Sequence, residues 1–458
     1  PPVVVASSRL TGWEQKIAII GAGPAGLSAA YYLATRGYKP TVFEKSARPG
    51  GMMTYGIPSF KLEKTIIDAE IQVLRELGVE IRCGVEVGRD VTIPQLREQG
   101  FLAFYIAIGC QGGRLPGVPG EHAAGTDIAV HFLHEALADE NQHMDGRVVV
   151  IGGGNVAVDC ARTAVRFGAE AVSMVCLESR DTMPASKDEI AEAEEEHIEI
   201  HTGWGPKELL QDESGHVTAV VFKKCLRTID PETGKFAPVY DEAETITLPA
   251  DHVVFAIGQA IEWGGLLKDT KVTFHRGNYP VADPLTYQTA EADIFVGGDV
   301  YHGPKFVIDA IEEGKCAAES LHRYVHKGAS LTIGRNRRDF VMLDKENFSV
   351  NCYDHATRQT EAVDPAVEAH SFRDARKTLT SEQVQTETAR CLGCGASWVD
   401  PNKCIGCGVC TTKCVFDAIH LKRDHPECST MMKAEDKLKG IASMACKRLG
   451  QTLRGRKG

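Results

Sequence analysis

Residues 16–37 read KIAIIGAGPAGLSAAYYLATRG. The first five are a short apolar strand. The glycine-rich stretch is a turn that opens a helix, and PTVFEK at 40–45 is the next strand. Strand, turn, helix and strand in that order make a dinucleotide-binding unit. Gly21, Gly23 and Gly26 keep G-x-G-x-x-G spacing. The first glycine permits the tight turn, the second lets backbone approach a pyrophosphate, and the third lets helix pack on strand. Spacing alone is weak evidence. Glu44, at the end of the next strand, strengthens it, because a carboxylate there binds a ribose diol. FAD or NAD is the expected ligand.

The pattern recurs at 147–178, with RVVVI, then GGGNVAVDCARTAVRFGA, then AVSMVCLE. Gly152, Gly154 and Ala157 repeat the spacing, with Asn155 between them. Glu178 takes the ribose-reading position, where a carboxylate bonds a 2′-hydroxyl and repels a 2′-phosphate. NAD(H) is therefore favoured, while Arg180, two residues on, leaves NADP(H) open. Two such sites suit a resident flavin and a visiting nicotinamide, with hydride passing between them. In ADIFVGGDV, at 292–300, a buried strand ends at Gly298 and Asp299, where Asp299 can hold a ribityl hydroxyl or phosphate. The helix read over 303–325 would aim its positive end at the flavin. FLAFYIAIG, closing at Gly109, and ADHVVFAIG, closing at Gly258, mark crossings between two domains.

At 391–414 the sequence is CLGCGASWVDPNKCIGCGVCTTKC. Cys404, Cys407, Cys410 and Cys414 have the C-x2-C-x2-C-x3-C spacing of a 4Fe–4S cluster. Zinc also suits C-x2-C pairs, but three close thiols and a fourth fit a cubane better. Val415 stands where Pro usually follows. Cys391 and Cys394, with Cys414 and either Cys428 or Cys446, would supply a second cluster, so one or two are expected. Cys83, Cys110, Cys160, Cys176, Cys225, Cys316 and Cys352 are scattered and read as small buried hydrophobes.

The whole chain has 458 residues and a net charge of 51 − 62 = −11, so no global basic footprint invites nucleic acid. KRLGQTLRGRKG at the C-terminus is basic and reads as a solvated tail. No apolar run reaches bilayer length, and no basic segment with an apolar core opens the chain. Clustered cysteines then imply a reducing, cytoplasmic setting. Glu192, Glu194, Glu195 and Glu196 read as a solvated helix face. Residues 329–380 read as a connector wrapping over the preceding domain. After it Thr380 caps a helix, with Gln383 at its third position, leading to Cys391.

GAGPAGLSAA, RPGGMMTYGIPSFKL, VVVIGGGNVAVDCARTAVRFGA, MPAS and DIFVGGDV together resemble the small subunit of glutamate synthase. Over 14–328 the chain is also similar to the large subunit of NADH-dependent ferredoxin:NADP oxidoreductase and to the flavin half of dihydropyrimidine dehydrogenase. The resemblance implies FAD contacts at Gly21, Gly23, Gly26, Glu44, Gly51, Gly298 and Asp299. Ala25, Lys45, Gly50, Gly109, Gly258 and Lys305 complete the expected set. It places NAD(P)H on an inserted domain, at Gly152, Gly154, Asn155 and Ala157. Three departures stand out. Cys176, Leu177 and Glu178 replace a Tyr-Arg-Arg-like segment that grips a 2′-phosphate. No cysteine precedes Cys83, whereas those relatives carry cluster cysteines ahead of the flavin domain. The connector, about 60 residues, is too short for an FMN barrel of roughly 200, which argues against pyrimidine reduction by this chain alone.

The expected fold is α/β: two Rossmann-like, disulfide-reductase-like domains for FAD and NAD(P), and a small α+β ferredoxin-like domain. The expected boundaries are 14–112 with 262–328 for FAD, 113–261 for the nicotinamide, 329–388 for the connector, 389–425 for the cluster and 426–458 for the tail. The expected activity is electron transfer between NAD(P)H and an iron–sulfur partner through FAD and 4Fe–4S. The partner is a ferredoxin or another redox subunit of a hetero-oligomeric complex, an electron-bifurcating one being among the alternatives. Hydride transfer needs no acid or base here, so no catalytic residue is named. A relay or scaffold subunit is the rival reading. A flavin disulfide reductase would need a redox C-x-x-C beside the flavin, and the nicotinamide domain offers only isolated Cys160, Cys176 and Cys225.

Overall fold

The computed structural model of the chain describes residues 12–275, 277–335, 356–364, 367, 370–390, 404, 406–413, 419–421, 441–442 and 445. The chain divides into two compact units, Pro1–Arg390 and Cys391–Gly458.

The first unit opens with β1 (Lys16–Ile20), α1 (Pro24–Ala34), β2 (Thr41–Glu44), α2 (Met52–Tyr55), α3 (Lys64–Glu76), β3 (Glu80–Cys83), α4 (Ile93–Glu98) and β4 (Phe101–Ile106). The chain crosses through β5 (Gly112–Gly113) into a second lobe. There it forms β6 (Thr126–Ile128), α5 (Ala129–Ala138), β7 (Arg147–Ile151), α6 (Asn155–Arg166), β8 (Ala171–Cys176), α7 (Lys187–Glu195) and β9 (Glu199–Thr202). β10 (Trp204–Gln211), β11 (Val217–Ile229), β12 (Phe236–Pro249) and β13 (His252–Phe255) follow. β14 (Gln259–Ala260) pairs back on β5, so outgoing and returning chains meet in one small ribbon. The first lobe closes with β15 (Ile294–Val296), α8 (Asp299–His302) and α9 (Val307–Val325).

Each lobe is built on a parallel sheet, ordered β15-β4-β1-β2-β3 in the first and β6-β13-β7-β8-β9 in the second. Such strands are buried on both faces and read as continuous apolar runs, as KIAII and RVVVI do. In the first lobe Ile17, Ile19, Tyr105 and Phe295 pack under Leu33 of α1, Ile67 of α3 and Ala317 of α9. In the second, Val148 and Val150 pack under Phe132, Val158 and Ile190 of α5, α6 and α7. The other face of this sheet is covered by an antiparallel sheet, β10-β11-β12, through Leu209, Val220 and Phe222. The sequence reading made no provision for that layer.

The acidic run is only half the solvated face expected of it: Glu194 and Glu195 are exposed, while the other two are engaged. Glu196 pairs with Arg162 and Arg166, each at 2.8 Å, and all three side chains are largely buried. Glu192 also pairs with Arg162. Farther along, Gln383 N–H donates to Thr380 Oγ1 (3.3 Å) and Thr380 N–H to Gln383 Oε1 (2.8 Å), capping the helix Ser381–Ala389 as expected. Residues 336–355 of the connector lie outside the described residues. In the second unit the helix Val409–Lys413 is described. No helix among the described residues is long and apolar enough to cross a membrane.

In the first lobe α1 packs closely on α9. A Cβ on Gly314 would collide with Ala25 O and stand 2.9 Å from Ser28 Cβ. Gly314→Ala is expected to destabilise the protein by about 1–3 kcal/mol through overpacking, read as a lower denaturant midpoint. Gly12→Ala, whose Cβ would make an ordinary 3.7 Å contact with Gly37 O, should leave the midpoint unchanged.

Candidate cofactor site

The first glycine turn is fixed by backbone. Gly21 N–H donates to Phe43 O (2.8 Å), tying the turn to β2, and Gly50 N–H donates to Ala22 O (2.8 Å). A Cβ on Gly21 would strike Ala107 O, and one on Gly26 would strike Gly21 O. Gly51, at φ +56°, brings a second glycine turn up to the first, where a Cβ would sit 2.8 Å from Gly23 Cα. Glu44 is buried at the end of β2. Its Oε2 accepts from Ala22 N–H and its Oε1 from Ser46 N–H, both at 2.8 Å. A carboxylate has about four acceptor positions, so Glu44 retains capacity for a diol.

These turns wall a cavity of about 450 Å³, within the range of cofactor pockets. Gly21, Gly23, Ala25, Glu44, Lys45, Gly51, Gly109, Gly298, Asp299 and Lys305 line it. Gly26 and Gly50 are absent from the lining, as are Gly152, Gly154, Asn155, Ala157, Glu178, Arg180 and Gly258. The second lobe reaches the cavity with Val130 and Leu133 of α5 and Val156 and Asp159 of α6. Sequence reasoning missed these four, and also Met52, Met53 and Trp263. Only the position of the two methionines beside Gly51 could have signalled them.

Asp299 gives the cavity lining a carboxylate, and Glu313, outside the lining, is bonded to the lining residue Gly298. Asp299 Oδ1 accepts from Lys305 N–H (3.3 Å), and burial pushes its carboxyl up to about 6. Glu313 of α9 accepts from Gly298 N–H (2.5 Å) and lies 3.4 Å from His302 Nε2; burial pushes it up to about 7. Cys110, the cysteine lining the cavity, donates to Asp299 O (3.2 Å), and burial pushes its thiol up to about 12. It is no ready nucleophile. The glycine cradle, the spare acceptors of Glu44 and the cavity's size fit FAD.

The second glycine turn has the same construction. Gly152 N–H donates to Val175 O (2.9 Å), and a Cβ on Gly152 would strike Ala256 O. Ala157 is fully buried, while a Cβ on Gly154 would meet open space. That opening at the start of α6 is where a pyrophosphate can approach. Glu178 Oε2 would lie 3.2 Å from a Cβ on Gly153, so its carboxylate overhangs the turn. Arg180 is held 2.7 Å from Glu194. Asn155 Oδ1 accepts from Ser186 N–H (2.9 Å), joining the turn to the N-terminus of α7.

Cys391, Cys394, Cys414 and Cys428 lie outside the described residues, as do Cys446 and Cys352. Cys404, Cys407 and Cys410 are exposed, with Gly406 and Gly408 at φ +68° and +79° between them. Thiolates are the right donors for an iron–sulfur cluster. Among the described residues, however, no three His, Cys, Asp or Glu side chains stand together as a metal site requires. Cys110, Cys160, Cys176 and Cys225 are buried, as expected of small hydrophobes, while Cys83 and Cys316 are half-buried.

Residues 15–314 match the family model of the pyridine nucleotide-disulphide oxidoreductases, and residues 397–420 match that of the 4Fe–4S binding domain. The chain is 36% identical over 389 residues to the β subunit of NADP(+)-dependent formate dehydrogenase from Moorella thermoacetica. That match covers 83% of this chain and 54% of the relative, so the chain spans about half of that protein's length. It is 36% identical over 335 residues to the glutamate synthase (NADPH) small chain of Halomonas elongata, covering 69% of this chain and 70% of the relative. It is 35% identical over 318 residues to the NAD-dependent dihydropyrimidine dehydrogenase subunit PreT of Escherichia coli O157:H7, covering 69% of each. The resemblance read from the five motifs is therefore correct, as is the expectation of an α/β oxidoreductase with a 4Fe–4S domain.

Glu44→Ala is expected to orphan the Ala22 and Ser46 amides and cost about 1–3 kcal/mol of stability. It should also lower the flavin-to-protein ratio of purified material, measured from the visible absorbance. Glu44→Gln, which keeps one acceptor oxygen, should fall between Glu44→Ala and the parent protein.

Proposed function

The chain belongs to the pyridine nucleotide-disulphide oxidoreductase family, and on that footing we propose that it moves electrons between NADH and an iron–sulfur partner. FAD would lie on the first glycine turn, with Glu44 on its ribose and Asp299 at its ribityl or phosphate end. NADH would lie on the second turn, with Gly154 and Asn155 at the pyrophosphate and Glu178 on the ribose. A flavin supplies the exchange between a two-electron hydride and the single electrons that a cluster carries. Cys404, Cys407, Cys410 and Cys414 would hold a first cluster, and Cys391, Cys394 and Cys428 would contribute to a second. The docking partner would be a ferredoxin or another iron–sulfur subunit of a larger complex.

The observation that carries this reading is the shared cavity. The first glycine turn and Glu44 form one wall, and α5 and α6 of the nicotinamide-type lobe form another. The second glycine turn does not itself line the cavity, but Val156, next to Asn155, does, so a nicotinamide held on that turn would extend towards the flavin, as hydride transfer requires. A disulfide reductase is disfavoured by the same cavity, because Cys110 lines it without a second thiol among the lining residues.

Two features favour NADH. The Glu178 carboxylate overhangs the turn and would oppose a 2′-phosphate, and Arg180 is already engaged by Glu194. The named relatives divide on this point, two of them being named for NADP or NADPH and one for NAD.

The test is an anaerobic absorbance titration of the purified protein with NADH and, on a matched sample, NADPH. Bleaching of the flavin band at lower NADH than NADPH is expected. Glu178→Ser should narrow that preference by about tenfold, by removing the like charge. A parent protein that responds only to NADPH would overturn the assignment of Glu178, and one that responds to neither would overturn the enzyme reading.

A further inference from the structure

The turn at 59–61 leaves the first lobe and is gripped by the second. Lys61 Nζ pairs with Asp159 of α6 and Glu189 of α7. The Lys61 side chain is 16% exposed, and the carboxylates 11% and 21%. Beside it, Phe60 is buried under the guanidinium groups of Arg166 (3.7 Å to the ring centre) and Arg162 (4.8 Å). Those arginines are themselves fixed by Glu196. The grip is thus a layered set of charges around one short turn.

A connector segment closes over this turn from outside. Arg376 Nη2 donates to Lys61 O (3.0 Å), and Arg373 pairs with Glu63 (3.0 Å). Phe372 lies 6.2 Å from Phe60 in the first lobe and 5.5 Å from Phe167 in the second. Arg166 Nε donates to Ser371 O (3.0 Å). Residues 371–376 are therefore a strap that touches both lobes at the point where Lys61 joins them.

Both ends of this grip reach the cavity. Asp159 lines it from α6. Lys64, three residues after Lys61, donates through Nζ to Met53 O (2.8 Å) and to Ile57 O. Met53 and Ile57 line the cavity from the first lobe. A tilt of the second lobe would move Asp159 away from α2 and the turn after it, which carry Met53 and Ile57. Buried ion pairs are a poor way to gain stability, since apolar side chains of equal volume do as well. They do fix geometry, because charged groups are costly to leave unpaired. Burial pushes the Asp159 carboxyl up to about 6, and Lys61 opposes that rise.

We infer that Lys61 is a positioning residue for hydride transfer: its pairs with Asp159 and Glu189, locked by the strap at 371–376, set the second lobe at a fixed angle over the flavin cavity. The inference rests on the proposed function, but its geometry can be tested separately.

The experiment compares the full-length, flavin-loaded parent with Lys61→Met, Lys61→Arg and the double variant Lys61→Met/Asp159→Asn. Stopped-flow bleaching by NADH is read alongside amide hydrogen exchange of residues 371–377. For Lys61→Met the limiting rate should fall about tenfold or more while the NADH concentration at half-maximal rate changes less than about threefold, the mark of misplacement rather than lost binding. Exchange in the strap should rise, at unchanged flavin content. Lys61→Arg should restore both readouts towards the parent. The double variant, which spares Asp159 an unpaired charge, should fold like the parent yet remain slow and strap-loosened. Parent-like rate and strap exchange in the double variant would overturn the inference, as would a rate loss that merely tracks flavin loss. If the parent flavin were not reduced by either nucleotide, the functional reading would fall. Strap exchange in the double variant would still decide whether Lys61 sets the lobe angle.

Discussion

Backbone lying directly on backbone is the constraint from which the rest of this structure follows. Gly26 lets α1 start against the carbonyl of Gly21, and Gly314 lets α9 press on Ala25 of the same helix. Gly51 brings a second turn against Gly23. No side chain fits at these contacts, so the N-terminal turn of α1 is held in one place, with Gly23, Pro24 and Ala25 on the cavity wall. Glu44 completes the arrangement by taking two amides from the chain around the turn. Its cost is a buried carboxylate, and its return is an acceptor held rigid before any ligand arrives.

Much of this was legible because it is local. Glycine spacing, a strand before it and a carboxylate at the end of the next strand all lie within thirty residues, and each has a direct backbone meaning. The same holds for Thr380 and Gln383, whose reciprocal bonds need only helical spacing. Parts that depend on distant partners were not legible. Glu196 reads as one more surface acid until α7 is laid beside α6 and Arg162 and Arg166 appear opposite it. The four roof residues of the cavity, Val130, Leu133, Val156 and Asp159, belong to apolar or ordinary helical positions. Nothing in their sequence says that α5 and α6 turn towards the first lobe.

The sheet β10-β11-β12 escaped for a different reason. A half-buried strand announces itself by strict alternation. Here the register shifts between Pro206 and Glu208, and again between Lys223 and Lys224, so the apolar positions fall out of step. Val217, Val220, Phe222 and Cys225 are buried at uneven spacings. Each bulge re-aims the strand so that one long ribbon follows the curved face of the parallel sheet beneath it.

The start of α9 bears on the charge balance beside the cavity. Asp299 and Glu313 both titrate higher in the folded chain than their ordinary values, to about 6 and about 7, with burial the first cause. A raised carboxyl favours the fold fully below its unfolded value, and that contribution is lost as pH rises through the folded one. Near neutral pH these two groups therefore cost stability as they ionise. A phosphate-bearing ligand beside them would raise that cost. Three features near them oppose it: the amide of Gly298 bonded to Glu313, the Lys305 side chain and the positive end of α9 at Val307. Carboxylates with no such counterweight would repel any anionic ligand brought near them. The glycine turn supplies room and the start of α9 supplies charge, and Asp299 lies beside both on the cavity lining.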